Sequence, residues 1–172
     1  FEERPLFGKT VVVTRAREQA SAFRILLESK GAQCLEFPTI EVVSPASWEP
    51  LDEAIRNLRF YDWLIFTSVN GVRFFFHRLQ EHGEDVRALH GIRIAAIGPK
   101  TAAELTDRGL RLDLVPSEYR AEAVIEGLGE QEVRGKRFLL PRAAKAREIL
   151  PEKLEEMGGQ IDVVTAYETI RP

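Results

Sequence analysis

The chain carries a single cysteine, Cys34, in 172 residues. An intrachain disulfide is therefore excluded, and the composition fits a reducing compartment such as the cytoplasm. No apolar run nears the roughly 18 residues that a spanning helix needs, so no membrane association is expected. No secretory signal is visible in these residues either. Any excess of positive charge is lacking too: 24 Lys and Arg stand against 27 Asp and Glu, for a net charge of -3. Nucleic acid is not an expected partner of such a balance. His77, His82 and His90 have no metal-binding spacing and no cysteine partner, so no metal is expected. There is no Ser-His-Asp order, no paired-carboxylate signature and no Walker loop, since Gly98-Pro99-Lys100-Thr101 lacks the upstream glycine. A receiver domain would place acidic residues at the ends of early strands, where Thr14, Thr67 and Gly98 stand instead.

What the chain does have is a repeat. Residues 135–170, GKRFLLPRAAKAREILPEKLEEMGGQIDVVTAYETI, lie without a gap on residues 8–43, GKTVVVTRAREQASAFRILLESKGAQCLEFPTIEVV. Both copies open with Gly-Lys and a short apolar run. Arg15-Ala16 matches Arg142-Ala143, and Leu27-Glu28 matches Leu154-Glu155. Gly31, Gln33 and Glu41 match Gly158, Gln160 and Glu168. Each copy predicts strand, helix, strand. Residues 9–14 are unbroken and β-branched, as in a buried parallel strand. Ala22, Phe23, Leu26 and Leu27 share a helical face, and Gly31 suits a left-handed residue just past the helix end.

Between the copies, helices are expected at 48–58, 68–81, 99–108 and 121–128, and strands at 61–66, 92–97 and 112–115. Strands alternating with helices of this length predict an α/β fold, a flavodoxin-like doubly wound parallel sheet. Strands beginning at Tyr61, Ile92, Leu112, Arg137 and Ile161 suffice for one complete domain over 48–164. The first repeat copy is then left over. It predicts a second, similar domain that is split: 1–38 its opening βαβ, 39–47 a crossover strand and linker, 165–172 the return strand, and its remainder beyond residue 172. On that expectation the chain is a fragment, inactive or nearly so alone, with an unpaired sheet edge that invites self-association or swapping.

Ligands of such sheets sit outside the carboxyl ends of the strands. Two junctions there carry suitable groups. One holds Thr67, Ser68 and Asn70 at a helix start, where unpaired N–H groups favour an anion. Ser68 reads equally well as a plain N-cap. The other holds Gly98, Lys100 and Thr101: close backbone approach, a cation and a hydroxyl. Arg15, Arg17, Arg142, Lys145 and Arg147 follow the repeat strands at the same edge, either to meet carboxylates or phosphates or as solvated charges. Tyr167 lies on the last strand, either as a ligand contact or proton donor or as an ordinary half-buried strand tyrosine.

The segments GKTVVVTRAREQASAF, YDWLIFTSVNGVRFFF, IRIAAIGPKTAAEL, GKRFLLPRA and VVTAYETI, in this order, resemble the uroporphyrinogen-III synthase family over essentially the whole chain. The resemblance implies two α/β domains joined by a two-stranded crossover, with the active site in the cleft between them. It implies a cofactor-free activity: hydroxymethylbilane, a linear tetrapyrrole with eight carboxylates, loses water and closes with inversion of its last ring. Tyr167 is then the matching proton donor. Thr14, Arg15, Thr67, Ser68, Asn70, Gly98, Lys100, Thr101 and Arg142 become substrate contacts. The lead-in FEERPLFGKT resembles the junction in bacterial fusions where a uroporphyrinogen-III methyltransferase precedes the synthase, which implies a fused or adjacent methyltransferase. Two readings rival this one. The first is a non-enzymatic flavodoxin-like module that binds an anion or regulates, and the second is a flavin carrier.

Overall fold

A computed structural model describes residues 4–14, 17–118 and 120–171, with backbone alone for 17–19. The chain forms two compact units, Phe1–Val43 with Thr169–Pro172, and Ser44–Glu168.

The first unit contains β1 (Thr10–Val13), α1 (Arg17–Ser29), β2 (Gln33–Glu36) and β3 (Glu41–Val43). β1 and β2 pair in parallel, from Thr10 opposite Gln33 to Val13 opposite Glu36. Gly31 takes φ 93° at the turn out of α1, a left-handed value that only glycine adopts freely. Val13, Ala20 and Ala32 are buried, whereas Val12, Ile25, Leu26 and Leu35 are each more than half exposed.

The second unit is built on β4 (Trp63–Phe66), β5 (Arg93–Ala96), β6 (Arg137–Ala143) and β7 (Gln160–Ile170). Around them lie α2 (Glu49–Arg56), α3 (Val69–Glu81), α4 (Pro99–Thr106), α5 (Ala121–Leu128), α6 (Glu130–Val133) and α7 (Ile149–Glu156). The strand order is β3-β7-β6-β4-β5. β3 thus lies at the edge beside β7, whose last residues, Thr169 and Ile170, belong to the same unit as β3. The β4–β5, β4–β6 and β6–β7 pairs are all parallel. The repeat is visible in the pairing itself: Arg137 opposes Gln160, at the positions matching Thr10 and Gln33.

All four residues of β4 are buried, as a parallel strand covered on both faces requires. Trp63 and Ile65 pack with Val124, Leu128, Phe138, Leu140, Leu150 and Leu154, beneath α5 and α7. On the α3 side, Phe66 meets Phe75 edge-on at 5.4 Å between ring centroids. Val72, Phe75, Phe76 and Leu79 form the buried stripe of α3. Burying such a side chain contributes roughly 1.5–3 kcal/mol, so this stripe fixes where α3 begins and which way it points.

The expected strand at 112–115 does not form. Only an isolated bridge links Leu114 to Ala95. The Asp113 carboxylate accepts the Ile94 N–H at 2.8 Å, taking a donor that a regular ladder would use. Pro116, which brings no N–H, follows at once.

A charged pin joins α2 to α3. Arg78 donates two hydrogen bonds of 2.6 Å to the Asp52 carboxylate, and His82 Nε2 lies 2.8 Å from the same group. The Arg78 guanidinium also rests over the Trp48 ring, 5.0 Å from its centroid. Asp52 is only 7% exposed, and the bonds from Arg78 hold its carboxyl down to about 2. Because the folded value is lowered, this stabilisation is complete above about pH 4 and is lost as pH falls through about 2. Asp52→Asn is therefore expected to destabilise the protein by about 2 kcal/mol at neutral pH, measured by urea denaturation. The gap between wild type and variant should close as pH falls from about 4 to about 2.

Candidate functional site

The carboxyl ends of β4, β5 and β6 each open into a loop with polar groups. After β4, Ser68 is extended, at φ -156° and ψ 153°, and caps α3: its Oγ accepts the Gly71 N–H at 3.0 Å. A Cβ on Gly71 would stand 3.0 Å from the Pro141 carbonyl oxygen and 3.3 Å from Ser68 Oγ. Glycine there lets the first turn of α3 sit directly against the backbone of β6.

Ser68 Oγ is also hydrogen-bonded to Tyr167 Oη, 3.0 Å away. Tyr167 is 8% exposed. Its ring stacks on Phe74 of α3 at 5.7 Å, and Phe74 stacks on Trp48 at 6.4 Å. A β-bulge aims it. β6 and β7 pair residue for residue up to Arg142 opposite Thr165, but Ala143 then opposes Tyr167, leaving Ala166 as the extra residue. Such an insertion breaks the alternation of faces, and here Ala166 and Tyr167 are buried in succession. The ladder resumes where the Ala144 N–H donates to the Tyr167 carbonyl at 3.0 Å. The Glu168 carboxylate accepts the Ala46 N–H at 2.7 Å and anchors the strand just beyond.

After β5, Gly98 precedes α4 with φ 89° and ψ 153°, a region that is essentially glycine's alone. Pro99 begins the helix, where its missing N–H is no loss. Thr101 is buried at 4% exposure, while Lys100 is exposed.

After β6, Arg142 is buried at 7% exposure. Its guanidinium donates to the Arg147 carbonyl at 2.7 Å and to the Glu148 carboxylate at 2.5 Å, whereas its buried Nε has no partner among the described residues. Arg142, Thr67, Arg120, Glu122 and Arg147 line a cavity of about 230 Å³. Ile97, Leu140 and Leu150 are among its apolar walls, and the Arg120 and Arg142 guanidinium groups are paired with Glu118 and Glu148.

The expected residues thus fall into groups. Ser68 and Tyr167 are bonded to each other, and Thr67 and Arg142 share the cavity. Asn70 lies half-buried in the first turn of α3. Gly98, Lys100 and Thr101 form the α4 junction. In the first unit, exposed Thr14 offers its carbonyl to the Thr39 N–H at 3.2 Å and to the Thr39 hydroxyl at 3.1 Å. Arg15 and the side chain of Arg17 lie outside what is described. Sequence reasoning missed Phe74, Trp48 and Glu148. For Glu148 a signal existed, an acidic residue just before an apolar helix start near an unpaired cation; Phe74 and Trp48 offered none beyond their aromaticity.

This arrangement is that of a parallel α/β protein with hydroxyls, helix starts and one phenol gathered at the carboxyl edge of its sheet. Comparison with known proteins refines it. The family model for uroporphyrinogen-III synthase HemD matches residues 21–172, and the chain belongs to that family. It is 40% identical to the uroporphyrinogen-III synthase of Synechococcus elongatus over 174 residues, covering 99% of this chain and 64% of that protein. It is 33% identical to the porphyrin biosynthesis protein HemD of Ruminiclostridium josui, covering 98% of this chain and 34% of that protein. The chain therefore spans less than two thirds of the length of these relatives. Among solved structures, a mutant uroporphyrinogen III synthase from Thermus thermophilus shares the fold, with a TM-score of 0.72 at 21% identity over 96% of this chain and 64% of that one. The wild-type enzyme of the same bacterium, in another crystal form, gives 0.65 at 22% identity.

Gly98→Ala is expected to cost about 1–3 kcal/mol in urea denaturation, because an L side chain is strained at that backbone position whatever space surrounds it.

Proposed function

We propose that the protein acts as a uroporphyrinogen-III synthase: it closes hydroxymethylbilane to uroporphyrinogen III with loss of water and inversion of the last ring, without a cofactor. Family membership supports the activity, and one geometric observation carries the mechanism. A buried phenol, Tyr167, is held by Ser68 and Phe74 at the end of a strand, beside a helix start rich in hydroxyls and N–H groups.

In this reading Tyr167 protonates the hydroxyl that leaves as water. Thr67, Thr101 and the N–H groups that open α3 and α4 hold acetate and propionate side chains, with Ser68, Asn70, Gly98 and Lys100 at the same junctions. The Arg142 cavity takes one further carboxylate. Most of the rate then comes from folding the linear tetrapyrrole so that its ends meet, a positioning effect rather than strong acid–base chemistry. The second unit is flavodoxin-like, the first is part of a split domain of the same kind, and residues 39–47 and 165–172 form the crossover between them. The protein works in the cytoplasm, and a uroporphyrinogen-III methyltransferase, fused or adjacent, takes its product.

The test is product analysis of the complete gene product with hydroxymethylbilane. Spontaneous closure yields the uninverted isomer, so type III product formed in excess is the expected result, and only uninverted isomer would contradict it. Tyr167→Phe is expected to lower kcat by about 100-fold; a wild-type rate would remove Tyr167 from the donor role.

A further inference from the structure

The hydroxyl shared by the α3 cap and Tyr167 can donate to the phenol or accept from it. Ser68 Oγ already accepts the Gly71 N–H at 3.0 Å. A serine hydroxyl has one proton to give, and Tyr167 Oη, 3.0 Å away, is the acceptor within reach. Either direction leaves one proton without a protein partner among the bonds made by the described residues: that of Tyr167 if Ser68 donates, that of Ser68 if Tyr167 donates. Two effects favour the first arrangement. An oxygen that accepts an N–H becomes a stronger donor through its own O–H, since bonds in a chain polarise one another. The start of α3, a helix of 13 residues, is also a region of positive potential, which favours an oxygen lone pair over a proton pointing towards it.

We propose that Ser68 is a positioning residue: it donates its hydroxyl proton to Tyr167 and thereby leaves the tyrosine's own proton directed away from Ser68, ready to be given to a substrate oxygen. The inference deepens the proposed function and rests on it for the identity of the recipient, but not for the direction of the bond. The stacking of Tyr167 on Phe74, at 5.7 Å and an interplanar angle of 27°, fixes the ring. The bulge at Ala166 fixes the point from which it projects. Rotation about the phenol C–O bond is the remaining freedom, and Ser68 removes it. Atoms and charge balance: the tyrosine proton passes to the departing hydroxyl, the substrate C–O bond breaks with its electron pair leaving on water, the substrate carbon is left cationic, and the phenolate that remains is stabilised by the Ser68 donor and the helix start until it is reprotonated from solvent.

The design of the test follows from the capping role. Ser68→Ala would remove the cap of α3 as well as the donor, and so confounds the two. Ser68→Asp keeps a good cap, yet a carboxylate only accepts, so it would draw the Tyr167 proton onto itself. Ser68→Thr keeps both the cap and the donor. The first readout is ultraviolet Raman spectroscopy of the tyrosine Fermi doublet, whose intensity ratio reports whether a phenol donates or accepts. Subtracting the Tyr167→Phe spectrum isolates Tyr167 from Tyr61 and Tyr119. Wild type and Ser68→Thr should show the accepting signature, and Ser68→Asp the donating one; a donating signature in wild type would overturn the proposal. This readout uses no substrate, so it stands even if the proposed activity fails. The second readout is kinetic, in the complete protein. Ser68→Asp should lose kcat about as much as Tyr167→Phe, roughly 100-fold, with KM raised as well because the new carboxylate faces those of the substrate, and Ser68→Thr should recover most of the kcat loss. A Ser68→Asp enzyme with wild-type kcat would overturn the proposal. Should Ser68→Asp fail to fold, the wild-type spectrum alone decides.

Discussion

One oxygen atom, Ser68 Oγ, ties three parts of the second unit together. It accepts from the first turn of α3 through the Gly71 N–H, and it bonds the phenol at the end of β7. Through Gly71, whose missing Cβ admits the Pro141 carbonyl, it also sets how closely α3 approaches the end of β6. A helix start has N–H groups without partners in the helix. In this chain one of those groups is satisfied by a side chain that also orients the best candidate for proton transfer. The cap of α3 and the hold on the Tyr167 phenol are supplied by the same hydroxyl.

The rest of the second unit holds that oxygen in place. Phe66, Val72, Phe75 and Leu79 lock α3 onto β4, so its first turn cannot drift from the carboxyl edge. The Asp52–Arg78 pin ties α2 to α3, and the Trp48–Phe74–Tyr167 row of rings runs along the same helix into the site. Charges are handled differently here from those at the carboxyl edge. Arg142 is buried and clamped by the loop that follows it, whereas Lys100 is exposed to solvent. The carboxyl edge consequently offers hydroxyls, N–H groups and one guanidinium of fixed position.

Much of this was legible in the residues. The repeat predicted two βαβ units, and both pair in the register that the ungapped overlay implies. The Thr67–Ser68–Asn70 junction was recognisable as a helix start, because hydroxyl residues before an apolar helical stripe are what a helix start needs. Other features were hidden for definite reasons. The bulge at Ala166 leaves no trace in an overlay without gaps. The strand expected at 112–115 had the right apolar composition, but composition does not reveal that the Asp113 side chain would compete for the Ile94 N–H. The sequence placed Arg142 at the correct strand end but could not show that Arg147 and Glu148 fold back to clamp it. Ser68 offered two readings, cap or ligand contact; the structure supplies the first in full and adds a bond to Tyr167 that separation along the chain concealed.

The claim that a single serine hydroxyl directs the tyrosine proton is tested most directly by neutron diffraction on deuterium-exchanged crystals. The account predicts a Ser68 deuteron on the line to Tyr167 Oη, with the Tyr167 deuteron turned away from Ser68. A Tyr167 deuteron lying on that line, pointing at Ser68 Oγ, would contradict it.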